Sequence, residues 1–250
     1  MTQNDNHSGI QQFWTAIQAL QQEVIESQLD LLGQIAAVMT QTIADDGQIF
    51  LFGTGHSHMI AEEGHYRAGG LAPVIPILIT SLMLHENAVL SGAVERTPGL
   101  AEPLLVNYNP RAGDMIFIFS NSGVNQLPVE MALAAKAKGL IVVSVSSLAY
   151  AQIAPLSSLG RRLDDVADFA LDNHGRPGDS LITIEGVPWP TGPSSTIVGC
   201  LIWQCLVTET VSNLHKQGRP APLYASANMA GAADHNQTLL ETWRKRNPHL

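Results

Sequence analysis

The stretch Asp114-Met115-Ile116-Phe117-Ile118-Phe119-Ser120-Asn121-Ser122-Gly123-Val124-Asn125-Gln126-Leu127-Pro128 decides the fold. An apolar run of strand length, Asp114 to Phe119, opens into Ser-Asn-Ser-Gly and restarts as a helix with Pro128 in its first turn, where a proline's missing N–H leaves no hydrogen bond unmade. The run lacks apolar/polar alternation, as expected of a strand covered on both faces in a parallel sheet.

Runs of the same kind recur on either side: Ile49 to Phe52, Val74 to Ile79, Leu140 to Val145 and Phe169 to Leu171. Helical stretches separate several of them, Met59 to Arg67 closed by Gly69-Gly70, Gln126 to Lys138 closed by Gly139, and Ser195 to Leu214. Strand, helix, strand repetition predicts an α/β fold with a parallel sheet and right-handed crossovers. Ahead of it, Phe13, Ile17, Leu20, Val24, Leu31, Ile35 and Val38 recur at helical spacing and predict one long amphipathic helix over residues 10–45. The span 172–193 is rich in Gly and Pro and reads as loop around one short strand, Leu181 to Ile184. A helix is expected over Gln237 to Arg246. No linker or internal repeat divides the chain, so residues 1–250 are read as one domain: leading helix 10–45, α/β core 48–214 and C-terminal extension 215–250.

Composition narrows the function. Only 14% of the 250 residues are charged against 45% hydrophobic, which calls for extensive burial in a core or between subunits and excludes disorder as an overall class. Thirteen Lys and Arg against 22 Asp and Glu give a net charge of −9, which provides no general attraction for a nucleic-acid backbone. Cys200 and Cys205 stand in one apolar run with no other cysteine, so they read as core thiols of a reducing compartment. The polar Met1–Gly9 lacks the pattern of a secretory signal, and no apolar run reads as an unbroken membrane span. A soluble cytoplasmic protein is the expectation, with neither nucleic acid nor membrane as partner.

In an open parallel sheet, ligands sit where strand ends meet helix starts, beside free N–H groups and the positive end of the helix dipole. Ser120, Asn121, Ser122, Gly123 and Asn125 form the stronger such junction, suited to a phosphate monoester. No lysine follows the glycine, as a nucleoside triphosphate loop requires. The same residues also suit a plain helix-capping turn. The second junction, Gly53-Thr54-Gly55-His56-Ser57-His58, opens like a dinucleotide fingerprint. It carries His58 in place of the third glycine, and the next strand ends at Ile79-Thr80-Ser81 without an acidic residue for a ribose. A loop lining a sugar pocket with Gly55, His56 and Ser57 fits better than NAD binding.

The adjacent carboxylates Glu62 and Glu63 follow on a helix. One facing a pocket is placed to shuttle a proton between neighbouring sugar carbons, whereas Glu63 also suits a surface pair with Arg67 at i,i+4. His58, Glu62 and His65 share a helical face, but residues 58 and 65 are about 10 Å apart along the axis. A divalent ion such as zinc held by His58 and Glu62 therefore needs a third ligand from His85, Glu86 or His235. The small-residue segment Tyr224 to Asn236, ending in Asp234-His235-Asn236, is placed to fold over a pocket, its own or a neighbouring subunit's.

The long leading helix, the Gly-Thr-Gly-His-Ser loop, the Ala-Glu-Glu helix and the Ser-Asn-Ser-Gly loop together resemble the SIS (sugar isomerase) domain over roughly Ile10 to Leu214. The chain is most similar to a branch of bacterial proteins grouped as UPF0309 and is related to phosphoheptose isomerase. The resemblance implies a flavodoxin-like, doubly wound five-stranded parallel sheet and phosphosugar binding through Ser120, Ser122 and Asn125, with Ser144, Ser146 or Ser147 adding contacts. It also implies a homodimer or homotetramer with shared sites. The expected activity is aldose–ketose isomerisation of a sugar phosphate through an enediol, with Glu62 or Glu63 as acid/base and His85 or His235 assisting. No cofactor is required for it, and zinc is the candidate metal. The alternatives are a phosphosugar-binding module without turnover and an amino-sugar phosphate lyase or deaminase. Gly192 to Asn213 holds no histidine, where the related isomerase takes one from its late helix.

Overall fold

The computed structural model describes residues 8–250; the polar leading segment up to residue 7, part of the stretch searched for a signal, lies outside them. Five parallel strands form the central sheet in the order β2-β1-β3-β4-β5: β1 (Ile49–Gly53), β2 (Val74–Pro76), β3 (Met115–Phe119), β4 (Ile141–Ser146) and β5 (Phe169–Asp172). The parallel sheet agrees with the strand pattern, and its doubly wound, five-stranded order with what the resemblance implies.

Residues alternate between two apolar layers, which is why the strand sequences read as unbroken apolar runs. Ile49, Leu51, Phe117 and Phe119 face α1 (Ser8–Ser27), α2 (Leu29–Ala44) and α8 (Ser195–Lys216), where Trp203 meets the Phe117 ring edge-on at 5.4 Å. Phe50, Phe52, Ile116 and Ile118 face α5 (Ala101–Val106) and α6 (Gln126–Ala137). By length and composition alone α8 is apolar enough to cross a membrane. Val198, Ile202, Trp203 and Leu206 are nonetheless buried in the layer that α8 shares with α2.

The leading helix is not continuous. It breaks between α1 and α2 at Gln28 (φ −127°), whose carboxamide clamps the backbone of Asp172: Nε2 donates to the Asp172 carbonyl at 2.7 Å and Oε1 accepts from the Asp172 amide at 2.8 Å. The helix after β1, α3 (His58–Glu63), ends before Arg67, and the backbone is left-handed at Tyr66 (φ +43°), which a continued helix does not allow. Only Val74–Pro76 of the Val74 to Ile79 run pairs as strand. The short strand is β6 (Ser180–Ile182), paired antiparallel with β7 (Thr191–Pro193). Three short helices, α4 (Ala88–Val94), α5 and α7 (Leu148–Ile153), went unread in the sequence.

The C-terminal extension wraps back along the core. Leu223 bridges Leu71, and α9 (Ala232–Trp243) begins five residues earlier than its sequence pattern suggests. Arg246 Nη2 then reaches the buried Asp114 carboxylate at 2.5 Å, and Asn247 Nδ2 donates to the Val74 carbonyl at 3.3 Å.

Candidate functional site

The strand order reverses between β1 and β3, which opens a crevice at the carboxyl ends of those strands. The Ser120 loop flanks it. Ser120 is buried, its amide donates to Val145 O, and Gly123 N returns to Ser120 O at 3.0 Å, closing a tight turn. Gly123 is at φ +63°, and a Cβ there would sit 3.5 Å from Ser146 Oγ. Among the described residues the amides of Asn121, Ser122, Val124, Asn125 and Gln126 find no backbone acceptor, so the start of the 12-residue α6 presents free donors. Ser146 at the end of β4 is fully buried, and its Oγ has no hydrogen-bond partner. That hydroxyl is unserved in a place where buried polar groups are normally paired. Ser144 Oγ instead lies 3.5 Å from Phe169 O, and Ser147 Oγ caps α7 and donates to Gly175 O.

Across the crevice, Gly55-His56-Ser57 form a single 3-10 turn after β1 with the His56 side chain exposed. His58 is buried; its Nδ1 engages Gly55 O and its Nε2 lies 3.7 Å from Glu62 Oε2. The two carboxylates of α3 thus part company. Glu62 stands half-exposed beside His58, whereas Glu63 is ion-paired with Arg67 and accepts from Gln204 Nε2 of α8 at 3.2 Å. His85 is exposed. Its neighbour Leu84 is the side chain nearest a notional Gly55 Cβ, at 4.0 Å, which puts His85 at the rim of the loop after β1. His235 lies elsewhere, in the first turn of α9 with Nε2 2.7 Å from Leu223 O. Neither histidine has a hydrogen bond or ion pair to Glu62, Glu63 or the Ser120 loop among the described residues.

No three His, Cys, Asp or Glu side chains among the described residues converge as metal ligands. With Nδ1 of His58 committed to a carbonyl, the described residues bring together for an ion at this loop only His58 Nε2 and Glu62, a donor set that does not fit a zinc site. His65 turns away toward His249, with ring centroids 6.1 Å apart; burial lowers its pKa, and the neighbouring His249 lowers it further. Cys200 and Cys205 are free and half-buried, and burial raises both thiols.

Two residues escaped the sequence reading. Glu95, just past α4, accepts a hydrogen bond from Thr54 Oγ1 of the β1 loop, and its carbonyl accepts from Leu127 N in the first turn of α6 at 3.0 Å. It therefore ties the two loops of the crevice together. Asn173, buried after β5, donates through Nδ2 to Asn121 Oδ1 at 2.9 Å. Neither residue lies in a motif; their only signal is a hydrogen bond to a distant residue.

The SIS domain model matches residues 12–147. A UPF0309 protein of Halalkalibacterium halodurans is 38% identical over 96% of this chain and 97% of its own length. One of Brucella canis is 44% identical over 82% and 84%. Among solved structures, phosphoheptose isomerase from Neisseria gonorrhoeae superposes with a TM-score of 0.56 at 18% identity, covering 82% of this chain and 98% of its own. The phosphoheptose isomerase from Francisella tularensis gives 0.56 at 14% identity, covering 85% and 100%. The structural likeness carries the fold, and the sequence kinship carries the family: this chain belongs to the SIS domain family, among its UPF0309 members.

Proposed function

We propose that this protein binds a sugar phosphate in the β1/β3 crevice and interconverts its aldose and ketose forms. The observation that carries the reading is the unserved donor set of the Ser120 loop: free amides at the start of α6, the Ser120 and Ser122 hydroxyls, and the partnerless buried Ser146 Oγ. A phosphate monoester supplies acceptors for all of them. The phosphoheptose isomerases that share this fold are, by their name, isomerases of a phosphosugar.

Glu62 is the carboxylate assigned to proton transfer. It stands free beside the β1 loop with His58 to orient it, whereas Glu63 is occupied by Arg67 and Gln204. In the proposed reaction Glu62 takes the proton from the carbon next to the carbonyl, the electrons move into an enediolate, and the proton of the neighbouring hydroxyl passes to the former carbonyl oxygen. The same carboxyl then returns the proton to the neighbouring carbon. Gly55, His56 and Ser57 line the sugar, and His85 at the rim assists ring opening. In the proposed assembly His235, held by Leu223 O in its own subunit, serves a neighbouring subunit's site. A homodimer or homotetramer completing the site is part of the proposal, supported by the apolar groove of about 580 Å³ that Ile25, Leu29, Leu32 and Leu206 leave between α2 and α8. We place this activity in the cytoplasm, with no cofactor in the proton transfer.

The ion pair of Glu63 and the exposure of Glu62 favour a second reading, a sensor that binds the phosphosugar without turnover. Incubation in D₂O with a panel of aldose and ketose phosphates, with and without chelator, separates the two by loss of the C1 or C2 proton in NMR spectra. Exchange with interconversion, abolished in Glu62→Gln, supports the isomerase. Thermal stabilisation without exchange supports the sensor, and release of ammonia or of a side group marks lyase or deaminase chemistry.

A further inference from the structure

The carboxamide of Asn173 is 3% exposed and sits just past the end of β5. Its partners distinguish its two edges. Oδ1 accepts from the Gly175 amide at 2.8 Å, and a backbone amide can only donate. Nδ2 is therefore the edge that meets Asn121, and the atom it meets must be an acceptor, Asn121 Oδ1, at 2.9 Å. That leaves Asn121 Nδ2 as the outer edge of its own carboxamide, without a hydrogen-bond partner among the described residues. Both residues are anchored by their backbones: Asn173 N donates to Ser146 O at 2.8 Å, and Ser147 N to Asn121 O at 2.9 Å. Gly175 keeps the contact close, since a Cβ there would stand 2.8 Å from Asn173 Oδ1 and 3.2 Å from Asn121 Oδ1.

We propose that Asn173 is a positioning residue that sets the hydrogen-bond polarity of the Ser120 loop: by holding Asn121 Oδ1 inward it turns Asn121 Nδ2 toward the ligand. At position 121 the loop then presents an NH₂ beside its amides and hydroxyls in place of a side-chain carbonyl oxygen. Such a lining selects a phosphate ester over an uncharged sugar, because an anion accepts from every group while a sugar hydroxyl must also place its own proton. The inference rests on the proposed phosphate role of this loop.

Asn173→Asp tests it with almost no change of shape. An ionised Asp still accepts from Gly175 N, but its other oxygen now faces Asn121 and forces that carboxamide to turn over, presenting Asn121 Oδ1 to the ligand. Inorganic phosphate and glucose 6-phosphate serve as probes in isothermal titration calorimetry, wild type and variant being compared at each pH so that titration of the probe cancels. At about pH 8 the variant is expected to bind about 10- to 100-fold more weakly than wild type, the scale of one charged hydrogen bond lost and a repulsion gained. The deficit shrinks as pH falls toward about 5, where the buried carboxyl takes up a proton and donates to Asn121 as the amide did. Asn173→Ala loses affinity without that recovery. An unchanged affinity at pH 8, or a deficit independent of pH, overturns the inference while leaving the phosphate reading standing. Failure of the wild type to bind either probe overturns the phosphate reading and this inference with it. Should the variant not fold, the wild type decides: the Asn121 side-chain NH₂ resonances, identified by their loss in Asn121→Asp, must shift on adding phosphate, and unmoved resonances overturn the inference.

Discussion

Thr54 Oγ1 donates to the Glu95 carboxylate, so a residue of the loop after β1 is fastened to the element that receives the first turn of α6. Both loops of the crevice thereby share one anchor, and a change at either end of the bond is felt across it. Thr54→Val preserves shape and removes the donor. It is expected to weaken phosphate-ester binding about tenfold, the equivalent of one hydrogen bond of about 1.4 kcal/mol. Titration calorimetry on the variant reads this directly, and unaltered affinity would show the two loops to be independent.

Gly123→Ala introduces a Cβ at φ +63°, where L-residues pay about 1 to 2 kcal/mol, and presses it toward Ser146. A fall in melting temperature together with lost phosphate-dependent stabilisation is expected in thermal denaturation. A fall in melting temperature alone would place the ligand elsewhere.

Gln28→Ala leaves the Asp172 amide and carbonyl without their partner. The loss is expected to cost about 1 to 3 kcal/mol, the penalty for stranding partly buried polar groups, and to show in denaturant unfolding as a lower midpoint at unchanged slope. Gln28→Glu keeps the acceptor but not the donor, so its cost should fall between wild type and alanine.

His65 and His249 make the docking of the C-terminal segment pH-sensitive. Burial lowers the pKa of each below 6.5, and His249 also holds the Tyr108 hydroxyl through Nε2 at 3.0 Å. Because the folded pKa lies below the unfolded one, the released segment takes up protons first. Docking therefore weakens as pH falls through 6.5, and the loss is complete below the folded values. Hydrogen exchange at residues 247–250 should speed up between neutral pH and about pH 5 beyond the intrinsic pH trend, and His65→Gln with His249→Gln should flatten that response.

The parallel sheet was legible because its strands are buried on both faces, so that Met115 to Phe119 reads as strand without any knowledge of its neighbours. The turn between β3 and α6 was legible because Ser120 to Asn125 are contiguous in sequence between an apolar strand and a proline-bearing helix start. The break at Gln28 was not: the apolar period runs through it undisturbed, and the partner that draws Gln28 out of the helix is 144 residues away. Glu95 and Asn173 escaped for the same reason, their partners lying 41 and 52 residues distant. Of the adjacent Glu62 and Glu63, the pairing of Glu63 with Arg67 one turn on was legible from the i,i+4 spacing, whereas its bond to Gln204, on a helix 141 residues away, was not.

Gln28 and Asn247 have a joint consequence for how copies of the chain can meet. One occupies backbone groups of β5 and the other those of β2, the two outermost strands of the central sheet. An incoming strand finds those hydrogen-bonding positions already taken, which disfavours strand-by-strand growth into fibres. Self-association is left to the helical faces, where apolar surface such as Leu29 is still uncovered, and an isologous contact there closes into an assembly of finite size.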